Sequence, residues 1–295
     1  MRQILSQSAM EYLMTYGWAI LIIAVVLGAL FSLGVFNGNN FAPKASPGAC
    51  QVFRPNGPET TMDINLAGEC QGLEPQYVAQ FSGSYANPSV INITDPPPLH
   101  GSFTVTAWID PSNWNYHNIM GTNCFRFETY PNGSQMSLTF SFAASCGSGG
   151  GGVSSPGLGL TANVLSFVAI TFNGSSAHAQ PYYNGLPAGG GGSIGRNSNS
   201  ITRMGFGEDI YSGIGGTDVM GGYIANVQLY NISLNANQIQ ALYQEGIGGA
   251  PVYLQNLVGW WPLNGNANDY SGNNYNGQAS NVIYTSSWTS GYSAP

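Results

Sequence analysis

Glu208, Asp209 and Asp218 gather three carboxylates in one glycine-rich stretch, and hard oxygen ligands on a flexible loop suit calcium. A solvated polar loop has the same composition. Asn264, Asn266, Asn268 and Asp269 form a second oxygen-rich run of that kind. Glycoside hydrolysis asks for two carboxyls about 5 to 9.5 Å apart across one cleft. Glu208 and Asp209 are adjacent only within a loop, and Glu128 stands alone on its strand, so no hydrolytic pair is evident. His100, His117 and His178 lie outside any nucleophile elbow, which speaks against Ser-His-Asp catalysis. Catalytic residues are therefore not expected, and ligand stacking is the remaining chemistry. Trp114, Tyr116 and Tyr292 sit among polar loop residues where an aromatic face can meet a sugar; Trp108, Trp260 and Trp261 are assigned to the core.

Cys50, Cys70, Cys124 and Cys146 are even in number and suit two disulfides in an oxidising space. Of the three possible pairings, Cys50 with Cys70 and Cys124 with Cys146 are favoured, because the first closes a short loop and the second flanks a hairpin. Zinc is the competing use, but no Cys-x-x-Cys spacing occurs and the histidines are scattered. Sequons at Asn92, Asn132, Asn173 and Asn231 add to the extracellular case. A net charge of -7 with six Lys and Arg leaves no cation cluster to displace counterions from phosphate, so nucleic acid is not an expected partner. No cofactor is required; calcium is the one candidate.

The elements that carry these groups begin with the amino-terminal segment. Met1 to Ser6 is a short polar leader with one basic residue, Arg2, and Tyr12 to Phe36 runs 25 residues without a charge. As a helix that run reaches roughly 37 Å, against a hydrocarbon core of about 30 Å. Ala24, Gly28 and Ser32 recur at every fourth position and line small residues on one face, which allows close helix approach. Arg2 ahead of the run and Lys44 behind it favour a cytoplasmic amino end. Glu11 is the odd residue, a carboxylate where a secretory signal would carry cations.

This arrangement resembles the class III signal peptide of type IV pilin-like proteins, especially the archaeal branch. The resemblance implies cleavage between Ser6 and Gln7 by a prepilin peptidase, which makes Glu11 the fifth mature residue. It further implies a membrane-inserted precursor, an assembly machinery, and self-association into an extracellular filament. Cleavage creates an ammonium at Gln7, and a carboxylate on a neighbouring helix compensates it in a low-dielectric bundle. The alternatives are an uncleaved membrane anchor and a removed signal peptide; the apolar run is too long for the latter.

Phe36 to Pro58 is rich in Gly, Pro and Asn and reads as a linker. The remaining stretch, about 240 residues, fits a single all-β sandwich. Gly 41, Tyr 17 and Phe 13 with 6% charged residues suit short strands and tight turns. Phe103, Val105, Ala107 and Ile109 alternate with Thr104, Thr106 and Trp108, which predicts a half-buried strand with one apolar and one mixed face. Cys124 to Tyr130 and Gln135 to Phe142 repeat the alternation around Pro131-Asn-Gly-Ser134, where Asn-Gly supplies the positive φ angles of a hairpin. Val164 to Phe172 and Tyr223 to Tyr230 are further strands, and Tyr182-Tyr-Asn-Gly185 closes another hairpin. One short helix has Asn235 as its cap, Ile239, Leu242 and Tyr243 on one face, and Gly246 at its end. The glycine tracts at 149–152 and 189–192 are expected to be loop tips.

Val78-Ala-Gln-Phe-Ser-Gly83, Phe103-Thr-Val-Thr-Ala-Trp-Ile109, Pro181-Tyr-Tyr-Asn-Gly185 and the segment from Gly222 to Asn231 together resemble a concanavalin A-like, laminin-G-like jelly roll. The resemblance covers Tyr77 to Tyr284. Its opening segment is matched by Val258 to Gly272, at the carboxyl end, which is expected to pair back onto the same sandwich. Relatives hold calcium near the Gly222 strand, but their recurrent aspartate is replaced by the Ala225-Asn226 neighbourhood. Their enzymes carry a Glu-x-Asp-x-Glu-like strand that is absent here. The expected organisation is a leader (1–6), an assembly helix (7–36), a connector (37–76) and a mainly β, two-sheet antiparallel jelly-roll sandwich (77–295) onto which 257–284 packs back. The expected function is a filament subunit whose head binds glycans or serves adhesion; a non-assembling anchored lectin and a glycoside hydrolase of the same fold are the alternatives.

Overall fold

The chain divides into two compact units, Met1–Lys44 and Ala45–Pro295. The computed structural model describes residues 16–17, 19–28, 74–133, 135–143, 146, 151–157, 159–195, 201–208, 210, 218–289 and 292. In the first unit they form helix α1 (16–17 and 19–28). Ile20, Leu21, Ile22, Ile23, Val25, Val26 and Leu27 are each at least 50% exposed, so apolar side chains surround the helix on all sides. The expected helix over 7–36 is thus seen only over its middle. Among the described residues, no helix is long and apolar enough to cross a membrane. Ala24 and Gly28 share one face of α1; Ser6, Gln7, Glu11, Ser32, Cys50, Cys70 and Asp209 lie outside the described residues.

Among its described residues the second unit has sixteen strands in two antiparallel sheets. One sheet contains β1 (Val78–Ser82), β3 (Phe103–Pro111), β8 (Ser166–Asn173), β9 (His178–Tyr183), β10 (Leu186–Pro187), β11 (Gly192–Ser193), β13 (Gly221–Tyr230), β14 (Leu257–Trp261) and β16 (Ile283–Thr285). Its order is β10-β9-β8-β3-β13-β1-β16, with β11 also on β9 and β14 also on β13. The other contains β2 (Val90–Ile93), β4 (His117–Thr122), β5 (Phe125–Asn132), β6 (Gln135–Phe142), β7 (Gly151–Ser154), β12 (Met204–Phe206) and β15 (Gly277–Ser280), in the order β15-β2-β12-β4-β5-β6-β7.

Alternation builds the core between the sheets. Phe103, Val105, Ala107 and Ile109 of β3 meet Phe125 and Phe127 of β5 and Met136, Leu138, Phe140 and Phe142 of β6. Phe103 stacks on Phe125 at 5.0 Å, and Phe142 meets Phe172 edge-on at 4.9 Å. Each ring so buried contributes about 1.5–3 kcal/mol. The disulfide Cys124–Cys146, with Cα atoms 5.2 Å apart, closes the base of the β5–β6 hairpin, as its flanking positions predict. At the other end Gly133 takes a positive φ, +64°, while Asn132 stays in the ladder opposite Gln135. In the second hairpin both Asn184 (φ 46°) and Gly185 (φ 78°) are left-handed. The glycine tracts differ from expectation: Gly151 and Gly152 open β7, and Gly192 belongs to β11.

The prediction of a half-buried β3 is corrected. All nine of its residues are buried, because a second layer covers the face carrying Thr104, Thr106 and Trp108. Helix α2 (Ala236–Gln244) lies in that layer, held by a reciprocal cap: Gln238 N–H donates to Asn235 Oδ1 at 3.0 Å and Asn235 N–H to Gln238 Oε1 at 2.9 Å. Ile239 and Leu242 are buried against Trp108, Phe167 and Trp260. Thr104 Oγ1 donates to Ile232 O at 2.7 Å and accepts from Leu234 N–H at 2.9 Å, which ties the approach to α2 onto β3.

The carboxyl-terminal segment is woven into both sheets. Strand β14 pairs with β13 (Val227 opposite Trp261), β15 with β2, and β16 with β1. Asn226, left-handed at a bulge in β13, donates to Gly249 O at 2.9 Å and accepts from Trp260 Nε1 at 2.8 Å and Gln228 Nε2 at 3.1 Å.

Candidate functional site

Where Phe125 and Phe127 point into the core, the alternate residues of β5, Arg126, Glu128 and Tyr130, face outward from the seven-stranded sheet. The ladder places Asn92, Gly205, Gly121, Arg126 and Ser141 in one row across that face. Its two glycines admit a covering loop. A Cβ on Gly121 would come within 2.7 Å of Glu208 O and 3.1 Å of Ile210 N, and one on Gly205 within 3.0 Å of Ile210 Cδ1. Ile210, 4% exposed, is therefore seated over both.

Asp218 lies on the same face. Arg126 Nη1 lies 3.4 Å from Asp218 Oδ2, and Arg126 Nε lies 3.2 Å from both Glu128 Oε1 and Ser141 Oγ. Glu128 is 1% exposed, so its charge is held out of water beside a guanidinium that bridges the two acids. Asn118, opposite Glu128 in the ladder, is fully buried, and neither atom of its amide has a hydrogen-bond partner.

On the same outward face of β5, Tyr130 (42% exposed) follows Glu128, and Tyr116 (36%) packs on it; Trp114 (42%) is exposed on the loop that leads to Tyr116. Tyr116 and Tyr130 meet edge to face at 5.0 Å. The hydrogen bond with Tyr130 raises the pKa of the Tyr116 phenol, and the negative fields of Asp218 and Glu128 act in the same direction. His117 anchors the loop that carries Trp114 and Tyr116. Its Nδ1 accepts from Gly221 N–H at 3.1 Å, which puts the proton on Nε2 for donation to Asn113 O at 2.9 Å. Burial lowers its pKa and keeps the ring neutral.

Of the candidate calcium ligands, two lie on this face. Glu208 is 8% exposed and places its backbone carbonyl over Gly121, and Asp218 reaches Arg126. Among the described residues no three His, Cys, Asp or Glu side chains cluster to hold a metal. In the second oxygen-rich run, Asn264 Oδ1 accepts from Tyr77 N–H at 2.8 Å and Asn266 Oδ1 from Asn268 N–H at 2.9 Å. Asp269 accepts four hydrogen bonds, from Trp260 N–H, Ser271 N–H, the Ser271 hydroxyl and Tyr275 N–H, and so organises its own loop. Tyr292 departs from its expected place among exposed loop rings: it packs on Trp108 at 5.5 Å and Trp288 at 5.7 Å, and its hydroxyl accepts from Ile247 N–H. Asn92, Asn132, Asn173 and Asn231 are all exposed. Arg126, Glu128 and Tyr130 were not singled out as a unit by sequence; their signal was the polar phase of the alternation that places Phe125 and Phe127 in the core.

Residues 86–240 match the family model of the concanavalin A-like lectin/glucanases superfamily. Among solved structures, the native heptameric SAP-like pentraxin of Limulus polyphemus superposes with a TM-score of 0.56 at 16% identity, covering 71% of this chain and 94% of that one. A candidate carbohydrate binding protein of Bacteroides ovatus ATCC 8483 gives 0.55 at 21% identity, covering 72% of this chain and 60% of that one. At these identities the likeness speaks to the fold alone. No curated protein sequence matches the chain.

Proposed function

Because the chain belongs to the concanavalin A-like lectin/glucanases superfamily, we propose that its sandwich is a carbohydrate-binding head using the outward face of β5 and its flanking loops. The observation that carries this reading is the juxtaposition of the exposed, packed rings of Tyr116 and Tyr130 with the Arg126, Glu128 and Asp218 cluster on the outward face of β5. Rings offer apolar faces to sugar C–H groups, and the adjacent polar groups can meet hydroxyls. The ligand class is neutral sugars, since among the described residues two carboxylates, Glu128 and Asp218, face one guanidinium, Arg126, at the site. Binding is favoured over hydrolysis, which needs two carboxyls across a cleft; here Arg126 lies between Glu128 and Asp218 and contacts both. An array of neutral glycans, probed with and without calcium, tests the reading. Tyr130→Ala should weaken binding at least about tenfold, a loss of roughly 1.4 kcal/mol. Binding unchanged by Tyr130→Ala and Tyr116→Ala would reject this face.

The head is displayed, in the same proposal, by an amino-terminal helix that assembles into a surface filament after cleavage between Ser6 and Gln7. The apolar circumference of α1 favours this, because a helix without a polar face needs lipid or other helices around it. Glu11 compensates the new ammonium of a neighbouring chain, and Ala24, Gly28 and Ser32 allow close approach. A mature chain beginning at Gln7 supports assembly, whereas retention of Met1 and Arg2 favours a non-assembling anchor. Normal filaments from Glu11→Val would remove the carboxylate from the mechanism.

A further inference from the structure

The outward positions of β5 end on Asn132, the asparagine of the sequon Asn132-Gly-Ser134. Alternate residues of a strand share a face about 7 Å apart, so a glycan acceptor is the next side chain beyond the ring of Tyr130. The amide is also aimed. Asn132 Nδ2 donates to Ser137 Oγ at 3.0 Å, and Ser137 is the cross-strand partner of Tyr130. Side chains directly opposite in a ladder lie about 4.5–5.5 Å apart, so Nδ2 leans back over the row that holds Tyr130. The nitrogen has two hydrogens; glycosylation replaces one and leaves the other for Ser137. The remaining sequons are placed differently. Asn173 and Asn231 lie at the ends of β8 and just beyond β13, in the other sheet, and Asn92 lies on β2, three strands from β5.

Resting on the carbohydrate-binding reading above, we propose that a glycan on Asn132 folds back onto Tyr130 and Tyr116 of its own chain and masks the binding face. A transferase would attach it from a glycosyl phosphate donor. The bond between Nδ2 and sugar C1 forms, the C1–O bond to the phosphate carrier breaks, and the amide proton passes to a base of the transferase. A tethered sugar is present at an effective concentration in the millimolar range. Against a stacking site whose Kd lies between that concentration and about a tenth of it, the tethered sugar lowers the apparent affinity for external glycans by about two- to tenfold.

The test uses the full-length chain made in a host that attaches N-glycans and in one that does not. Glycopeptide mass mapping reads Asn132, and binding to immobilised neutral oligosaccharides reads the face. The expected result is a modified Asn132 and binding about two- to tenfold weaker in the glycosylated chain. Asn132→Gln should restore binding in the glycosylating host, and Asn173→Gln should not. An unmodified Asn132, or equal binding by the two forms, overturns the proposal and leaves the carbohydrate reading standing. Silence of the unglycosylated chain defeats that reading and the proposal together.

Discussion

Replacing Asp110 by Asn should stabilise the sandwich at neutral pH and leave it unchanged in acid. The carboxyl is 5% exposed on the covered face of β3, and its Oδ1 has no hydrogen-bond partner. Burial raises its pKa from 3.8 to about 6, while the N–H groups of Asn163 and Val164 pull the other way. The folded chain therefore holds the proton more tightly than the unfolded one. The stabilisation contributed by the neutral acid is complete below 3.8 and is lost as pH rises through about 6. A shift of this size corresponds to about 3 kcal/mol at most, and solvent screening near the strand end reduces the expected cost at neutral pH to about 1–2 kcal/mol. Asn keeps the shape and an acceptor for the two N–H groups. Urea unfolding at pH 8 should show Asp110→Asn more stable by about 1–2 kcal/mol, with the difference vanishing near pH 4. A gain of equal size at both pH values would exclude the charge as its cause, and a loss at pH 8 would refute the argument outright.

Three further outcomes follow from the same coordinates. Gly121→Ala should cost about 1–3 kcal/mol, because the new methyl meets Glu208 O at 2.7 Å; an unchanged thermal melt would show that the covering loop does not rest there. Replacing Cys124 and Cys146 together by Ala should lower stability in urea by up to about 3 kcal/mol for a closed loop of this length, and no loss would mean that the hairpin holds its own base. His117 is favoured neutral by burial, so its contribution is complete above 6.5 and declines as pH falls below that value. His117→Gln should flatten that acid limb in urea titrations, and an identical pH profile would assign the limb to other groups.

The sandwich was legible where one residue's neighbours are set by period two. Phe103 to Ile109, the β5–β6 hairpin, the Asn184-Gly185 turn and the Asn235 cap each follow from local rules. What local rules miss is the source of a strand's second cover. Trp108 was assigned to the core and is there, but the face it shares with Thr104 and Thr106 reads as mixed and half-buried, because nothing within β3 announces that α2 and the carboxyl-terminal segment will pack on it. The same limit misplaced Tyr292, which reads as a loop aromatic until Trp108 and Trp288 are beside it. Half of the candidate site was visible as Trp114, Tyr116 and Asp218. Arg126 and Glu128 were not, because a charged residue on an outward strand face is ordinary until a distant acid, here Asp218, is seen to meet it. Ile210 is likewise seated on Gly121 and Gly205, whose missing side chains matter only once their strands are neighbours.

The location of the site follows from how the faces of the sandwich are used. The outer face of the nine-stranded sheet is filled by α2, Trp260 and Trp288 against Trp108, Phe167 and Tyr230, so it has no platform to offer. On the seven-stranded sheet, Ile210 occupies the glycine row over β12 and β4. Among the described residues, the half carrying β5, β6 and β7 keeps exposed outward positions: Thr139 and Ser141 are part-exposed and Tyr130 is exposed. A ligand face on the packed part of the outer side of the nine-stranded sheet would have to displace apolar side chains, at about 1.5–3 kcal/mol for each one exposed. The outward phase of β5 needs no such opening, which is why its rings and ion cluster are where recognition is assigned.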